Sequence, residues 1–181
     1  HSVVFLMALL AALLAFLLYR IVLLEFGSHA IALLSGVVLL SLPLIERFGG
    51  LIMADLPVAL WSFCAALAWG RYLDSERPRD ALTFAMFSSL AILTKGDGFL
   101  LALLPPLTVL YGRRWGLLRK PSLWFSAALV AALCLPWTIL TMKLVTPTRQ
   151  NKTSWAFTMR ALPFYLVQLS RACGPLILCL A

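Results

Sequence analysis

Residues 81–111 read ALTFAMFSSLAILTKGDGFLLALLPPLTVLY, two apolar runs separated by the polar turn KGDG at 95–98. The runs, 81–94 and 99–111, are each short for a membrane-spanning helix, which takes about 20 mostly apolar residues. Two glycines flanking a charge favour a turn over a helix interior. We therefore predict a tight hairpin of two helices, with the proline pair at 105–106 kinking the second helix.

Apolar runs of the same kind extend on both sides of this hairpin. The chain has 181 residues, of which 62% are hydrophobic and only 12% are charged, whereas about a quarter are charged in a typical soluble domain. Such a composition leaves too little polar surface for a water-soluble globule. The sequence therefore predicts an all-α, polytopic transmembrane helix bundle. About seven crossings are expected, at 3–19, 28–45, 55–72, 81–94, 99–111, 122–142 and from about 162 onward.

Basic residues mark one side of the predicted bundle, in a chain of net charge +8. The short loops of the other side contribute only Arg47 and Lys95. The short loops of the first side carry eight basic residues: Arg20, Arg71, Arg77, Arg79, Arg113, Arg114, Arg119 and Lys120. The positive-inside rule places this side in the cytoplasm. Because the charges form short clusters between apolar runs, we expect no nucleic-acid partner.

Both ends of the chain lie in apolar sequence, since His1 is followed directly by one apolar run and Ala181 closes another. We expect residues 1–181 to be an internal part of one transmembrane domain, truncated at both ends.

Three acidic residues, Glu46, Asp55 and Asp97, lie at the ends of apolar runs on the side opposite the basic loops. Asp55 precedes Pro57, a pattern that suits the first turn of a helix. One interpretation is a structural helix cap. The other is a carboxylate that holds a polar substrate group or a cation.

Lys95 also has two interpretations. A lysine at a helix end can extend its ammonium group to the membrane interface. It can also bind a lipid phosphate, next to glycines whose N–H groups are accessible. Asp97 would then either orient Lys95 or be solvated.

A polar, basic segment at 143–160 reads KLVTPTRQNKTSWAFTMR. It is typical of a surface loop followed by an interfacial helix with an aromatic anchor. As a functional element, the segment would supply Arg149, Lys152 and Arg160 to an anionic ligand, with Trp155 as a stacking platform.

Residues 45–137 resemble the polyprenol-phosphate-sugar-dependent glycosyltransferases of the GT-C superfamily, in particular the protein-mannosyltransferase-like and aminoarabinose-transferase-like members. Four motifs carry the resemblance by their order and spacing: MADLPVALW at 53–61, LAILTKGDGFLLALLPPL at 90–107, YGRRWGLLRK at 111–120 and ALCLPW at 132–137.

The resemblance implies a membrane enzyme that moves a sugar from a polyprenyl-phosphate donor to a lipid, glycan or protein acceptor on the extracytoplasmic side. A bacterial inner membrane, with the active site facing the periplasm or exterior, is the expected location. The main catalytic acid of such enzymes lies in a first external loop, expected upstream of His1, so we expect residues 1–181 to be inactive alone.

By the same resemblance, Asp55 matches the family's second external-loop acid, and Lys95 matches the LTKG lysine that faces the donor phosphate. Arg149 and Arg160 are expected to assist at that phosphate. Asp97 departs from the family pattern, because it adds a negative charge there. A divalent metal near Asp55 stays open, although hard cations need several oxygen ligands.

Two other function classes compete with the transferase. A transporter would place ionisable residues at mid-bilayer, where these runs carry almost none. A non-catalytic membrane scaffold is compatible with the sequence.

Overall fold

The computed structural model describes residues 2–42 and 54–145, together with the isolated positions 159, 163 and 167. Over these residues the chain is helical and contains no strand, which confirms the all-α prediction. The α-helices are α1 (Ser2–Phe26), α2 (His29–Leu40), α3 (Asp55–Ser75), α4 (Pro78–Thr94), α5 (Leu104–Tyr111) and α6 (Pro121–Val145). Two 3₁₀ segments, Gly96–Leu103 and Trp115–Arg119, precede α5 and α6.

Two of the described helices are long and apolar enough to cross a membrane, at Val4–Phe26 and Pro121–Leu144. Shorter apolar helical stretches occupy His29–Leu40 and Gly96–Tyr111. The number of seven crossings stays a prediction, because its last segment lies outside the described residues apart from helical positions 163 and 167.

Helix α6 exposes many large apolar side chains. Large apolar side chains lie exposed along its length, including Trp124, Phe125, Leu133 and Trp137. Many large apolar side chains exposed on one helix indicate contact with a membrane or a partner. Together with the length and apolar composition of α1 and α6, it indicates an integral membrane protein.

Helix α1 is longer than predicted, because it continues past Tyr19 to Phe26. Arg20 therefore lies within the helix and not in a loop. Arginine and glutamate are good helix formers, so neither Arg20 nor Glu25 ends the helix. The stop comes at Gly27, whose φ of 65° is the left-handed conformation that commonly terminates helices.

The predicted proline kink was wrong. Residues 96–103 form a 3₁₀ helix, and α5 begins only at Leu104, so Pro105 and Pro106 occupy the first turn of α5. A first turn tolerates proline, since the missing N–H has no partner within the helix.

The chain forms two compact units. The first comprises His1–Leu56 and Arg149–Ala181. Within it, α1 and α2 pack as a hairpin, in which Tyr19 Oη and His29 Nδ1 form a hydrogen bond of 2.8 Å. Met7 and Ala11 of α1 are buried in a small apolar cluster with Leu56.

The second unit, Pro57–Thr148, holds the larger apolar core. Its helices α3 and α4 pair through aromatic contacts, with ring centroids 6.0 Å apart for Trp61–Phe87 and 5.0 Å apart for Trp69–Phe84. Because the earlier residue of α3 meets the later residue of α4, the two helices are antiparallel. The Pro57 end of α3 and the Thr94 end of α4 therefore point the same way.

Two polar contacts tie this helix pair to the rest of the second unit. Trp69 Nε1 donates a hydrogen bond to Thr108 Oγ1 over 3.1 Å, and Tyr72 Oη lies 2.8 Å from Ser122 Oγ. Trp69 and Tyr72 are almost completely buried. Their polar atoms thus meet the requirement that buried donors have partners, and they fix how α5 and α6 pack on α3.

Candidate functional site

The turn after α4 is held by close backbone contacts. Lys95 has an extended backbone, and its N–H donates to the carbonyl of Ala91 over 3.1 Å. Its own carbonyl accepts from the N–H of Gly98 over 3.0 Å. A Cβ added at Gly98 would lie within 2.7 Å of backbone atoms of Ala91 and Ile92. Only glycine allows this approach, so Gly98 seats the 3₁₀ segment directly on α4 and sets the position of Lys95.

Lys95 and Asp97 form an ion pair across this turn, with Nζ and Oδ2 3.0 Å apart. Their side chains are 39% and 68% exposed. An exposed pair of this kind contributes little to stability. Its main effect is local, since the carboxylate of Asp97 partly offsets the positive charge that Lys95 presents.

Asp55 is the first residue of α3 and is half-buried. Pro57 lies in the same first turn, as the sequence predicted. A carboxylate at this place interacts favourably with the positive end of the helix dipole. Asp55 belongs to the first unit, whereas Lys95 and Asp97 belong to the second, so the structure describes the two positions separately.

Five other predicted site residues lie outside the described residues, and their roles stay predictions. They are Glu46, Arg149, Lys152, Trp155 and Arg160.

A cavity of about 460 Å³ opens in the second unit between α4, α6 and the segment 96–111. Its walls are almost entirely apolar. The residues Ile92 and Phe99, on either side of the Lys95 turn, line one end, and Leu118 and Trp124 line the other. Along α6 the lining runs from Leu123 to Leu135, about 18 Å at the rise of an α-helix. The shape suits a long apolar chain.

This cavity was not predicted from the sequence. Between Trp124 and Leu135, its wall on α6 is made of small and medium side chains at helical spacing, Ser126, Ala127, Val130, Ala131 and Cys134. The repeat of small residues on one face of this apolar helix could have indicated this wall of the cavity.

Ser88 is a polar exception in the cavity wall. Its side chain is buried, and within the described part of the chain its Oγ has no hydrogen-bond partner. The neighbouring Ser89 instead donates to the carbonyl of Ala85 over 2.8 Å.

No group of three His, Cys, Asp or Glu side chains in residues 2–42 and 54–145 is arranged to hold a metal ion. The part of the site that the structure describes thus consists of Asp55 in the first unit and, in the second unit, of the Lys95–Asp97 pair and an apolar cavity.

Comparison with known proteins identifies the family. The profile of the family described as dolichyl-phosphate-mannose-protein mannosyltransferase matches residues 1–168, which is most of the chain. No curated protein and no solved structure gives a significant match. The chain therefore belongs to the dolichyl-phosphate-mannose-protein mannosyltransferase family and is a membrane glycosyltransferase of the GT-C type.

Proposed function

We propose that this glycosyltransferase takes a sugar from a polyprenyl-phosphate donor and transfers it to an acceptor at the extracytoplasmic surface of the membrane. The observation that carries the proposal is the position of Lys95 in the second unit. Its turn is flanked by two residues that line an apolar cavity, Ile92 and Phe99. A cation beside an apolar cavity matches a phosphate attached to a long hydrocarbon chain.

In this proposal the phosphate of the donor binds at Lys95. Transfer breaks the bond between the anomeric carbon and a phosphate oxygen, and the leaving lipid phosphate gains negative charge. A fixed ammonium group stabilises that charge in the transition state. The adjacent Asp97 reduces the local positive potential, and Arg149 and Arg160 are the predicted residues that restore it.

The first isoprenoid units of the donor would occupy the end of the cavity beside Lys95, which Ile92 and Phe99 line. The residues that line the cavity include no acidic or basic side chain, so the chain meets an almost entirely apolar surface. The same absence of charge from the lining argues against a path for ions or polar solutes, which require polar groups within the membrane.

The acceptor hydroxyl forms the new bond to the anomeric carbon and loses its proton to a carboxylate. We propose that Asp55 orients this acceptor, together with the main acid that the resemblance places upstream of His1. The proposal needs Asp55 and Lys95 at one membrane surface. Its support is the antiparallel pairing of α3 and α4, which directs the Pro57 end of α3 the same way as the Thr94 end of α4.

The test is sugar transfer by the full-length enzyme carrying Lys95→Ala. Loss of one electrostatic contact to the developing charge typically costs about 10²–10³ in rate, so we expect kcat/KM for the lipid donor to fall by roughly that factor. Lys143→Ala is the matched control, because Lys143 is also an exposed lysine near the C-terminal end of an apolar helix, α6. Transfer that is unaffected by Lys95→Ala, or reduced equally by both changes, would remove the phosphate-binding role.

A further inference from the structure

The end of the cavity farther from Lys95 is bounded by a loop that the transfer reaction does not use. We call residues 112–120, GRRWGLLRK, the basic loop. Three contacts fix it. The guanidinium of Arg114 donates to the carbonyl of Leu73, and Lys120 is paired with Glu76. Immediately after the loop, Trp124 Nε1 donates to the carbonyl of Leu118 over 2.8 Å. The loop is therefore a preformed surface.

The charge of the basic loop is largely uncompensated. It contains four basic residues and no acid, and Glu76 offsets only Lys120. Arg113 and Arg119 are exposed, and in the described part of the chain neither takes part in an ion pair. Two arginines are thus available to an external anion. The guanidinium group suits phosphate, because its N–H groups can bind two oxygens at once.

Apolar surface adjoins this charge directly. Trp115 in the loop and Trp124 after it are 57% and 62% exposed. Leu118 of the loop lines the end of the cavity together with Leu123 and Trp124. Tryptophan beside basic residues is typical of the boundary between lipid head groups and hydrocarbon. The surface therefore matches a ligand with an anionic head group and an apolar chain.

We propose that the basic loop binds an anionic glycerophospholipid. Its phosphate contacts Arg113 and Arg119, and one acyl chain enters the cavity past Trp124. This site is distinct from the donor site, since Lys95 lies beside the opposite end of the cavity. A small pocket next to the loop, of about 300 Å³, has the carboxylate of Glu76 in its wall, so the head group binds at the two arginines outside it.

The test measures lipid binding and not sugar transfer, so its outcome is separate from that of the proposed function. The full-length enzyme in a neutral detergent is titrated with phosphatidylglycerol or phosphatidylcholine, and bound lipid is counted by native mass spectrometry. We expect phosphatidylglycerol to bind more tightly. A basic residue beside the bound head group contributes about fivefold, so Arg113→Ala with Arg119→Ala should weaken phosphatidylglycerol binding by roughly 25-fold.

Arg77→Ala with Arg79→Ala is the matched control. It removes the same charge from the start of α4, and neither residue lines the cavity. We expect this pair to leave the preference for phosphatidylglycerol unchanged. Equal binding of both lipids by the unmodified enzyme, or equal losses in the two double variants, would overturn the proposal.

The acyl-chain part of the proposal has its own variant. Ala127→Trp fills the cavity from α6 and leaves the basic loop intact. We expect phosphatidylglycerol binding to weaken, whereas glycerol phosphate, which has no acyl chain, should not compete with the lipid in the unmodified enzyme. Unchanged lipid affinity in Ala127→Trp, or full competition by glycerol phosphate, would contradict entry of the chain into the cavity.

Discussion

Replacing Gly98 by alanine tests whether the Lys95 turn is as tightly seated on α4 as the structure shows. The added Cβ would lie 2.5 Å from the carbonyl carbon of Ala91, 2.6 Å from the nitrogen of Ile92 and 2.7 Å from the carbonyl oxygen of Ala91. Real Cβ atoms essentially never approach other heavy atoms within 3.0 Å. All three neighbours are helix backbone, so none can rotate away, and either the 3₁₀ segment or α4 must shift.

Overpacking of a well-packed interior typically costs about 1–3 kcal/mol. Because the contact at Gly98 is with backbone, we expect the upper value, about 3 kcal/mol, or roughly a hundredfold in the unfolding equilibrium. Gly96 provides the control in the same turn. A Cβ there meets no atom within 4 Å, so Gly96→Ala should be neutral or gain a few tenths of a kcal/mol from a stiffer unfolded chain.

The assay is denaturant unfolding of the purified enzyme in detergent, followed by tryptophan fluorescence, with kcat/KM for the lipid donor measured in parallel. Gly98→Ala should be less stable than Gly96→Ala and should also transfer sugar more slowly, because the position of Lys95 depends on the turn. Stabilities of the two variants within about 0.5 kcal/mol of each other, the usual error of such comparisons, would refute the close approach.

Contacts in the second unit give three further predictions. Tyr72→Phe should lower the free energy of unfolding by about 0.6 kcal/mol, the average for a hydrogen bond between membrane helices. In a protein that already carries Ser122→Ala, Tyr72→Phe should cause no such loss, and an unchanged loss would exclude the contact. Ser88→Ala should keep or raise the thermal stability, because it removes a buried hydroxyl without a partner in the described part of the chain, and a clear loss would show that Ser88 has one. The hydrogen bond and charge of Glu76 raise the pKa of Lys120 above its usual range. The charged lysine therefore stabilises the fold below about pH 10.4, the unfolded-state pKa, and this contribution is lost as the pH rises through the raised pKa. Lys120→Met should remove that loss from the pH profile of thermal stability, and an unchanged profile would argue against the pair.

The reversal of the chain after Thr94 could be predicted from the sequence, because glycines on both sides of a charged residue strongly favour a turn. The structure of residues 96–111 could not. The pair Pro105-Pro106 fits either a kink inside a helix or the first turn of a new one. The choice depends on the 3₁₀ geometry of Gly96–Leu103, which is set by the approach of Gly98 to Ala91 and not by the prolines themselves.

The end of α1 and the cavity also could not be predicted from local sequence pattern. Arg20 looked like a loop residue because it is charged, but charge alone does not stop a helix, and the stop lies at Gly27. The cavity arises where α4, α5 and α6 face one another, through contacts between residues distant in sequence. Local sequence pattern cannot specify such contacts, although the row of small side chains on α6 indicates one wall of the cavity.

The site was predicted residue by residue and is only partly described. The motif at 90–107 located Lys95, and the structure adds the pairing with Asp97 and the seat provided by Gly98. For Asp55 the structure confirms the helix start that the following Pro57 indicated. Its catalytic role and that of Arg149 and Arg160 rest on the resemblance and remain predictions.

The sidedness of Asp55 and Lys95 tests the proposed transfer site most directly. Single cysteines at positions 55, 95 and 113, each in a full-length enzyme without other cysteines, are treated in intact cells with a membrane-impermeant maleimide. We predict labelling at 55 and 95 from outside, and at 113 only after the membrane is permeabilised. Labelling of 55 and 95 from opposite sides would contradict a shared extracytoplasmic site for sugar transfer.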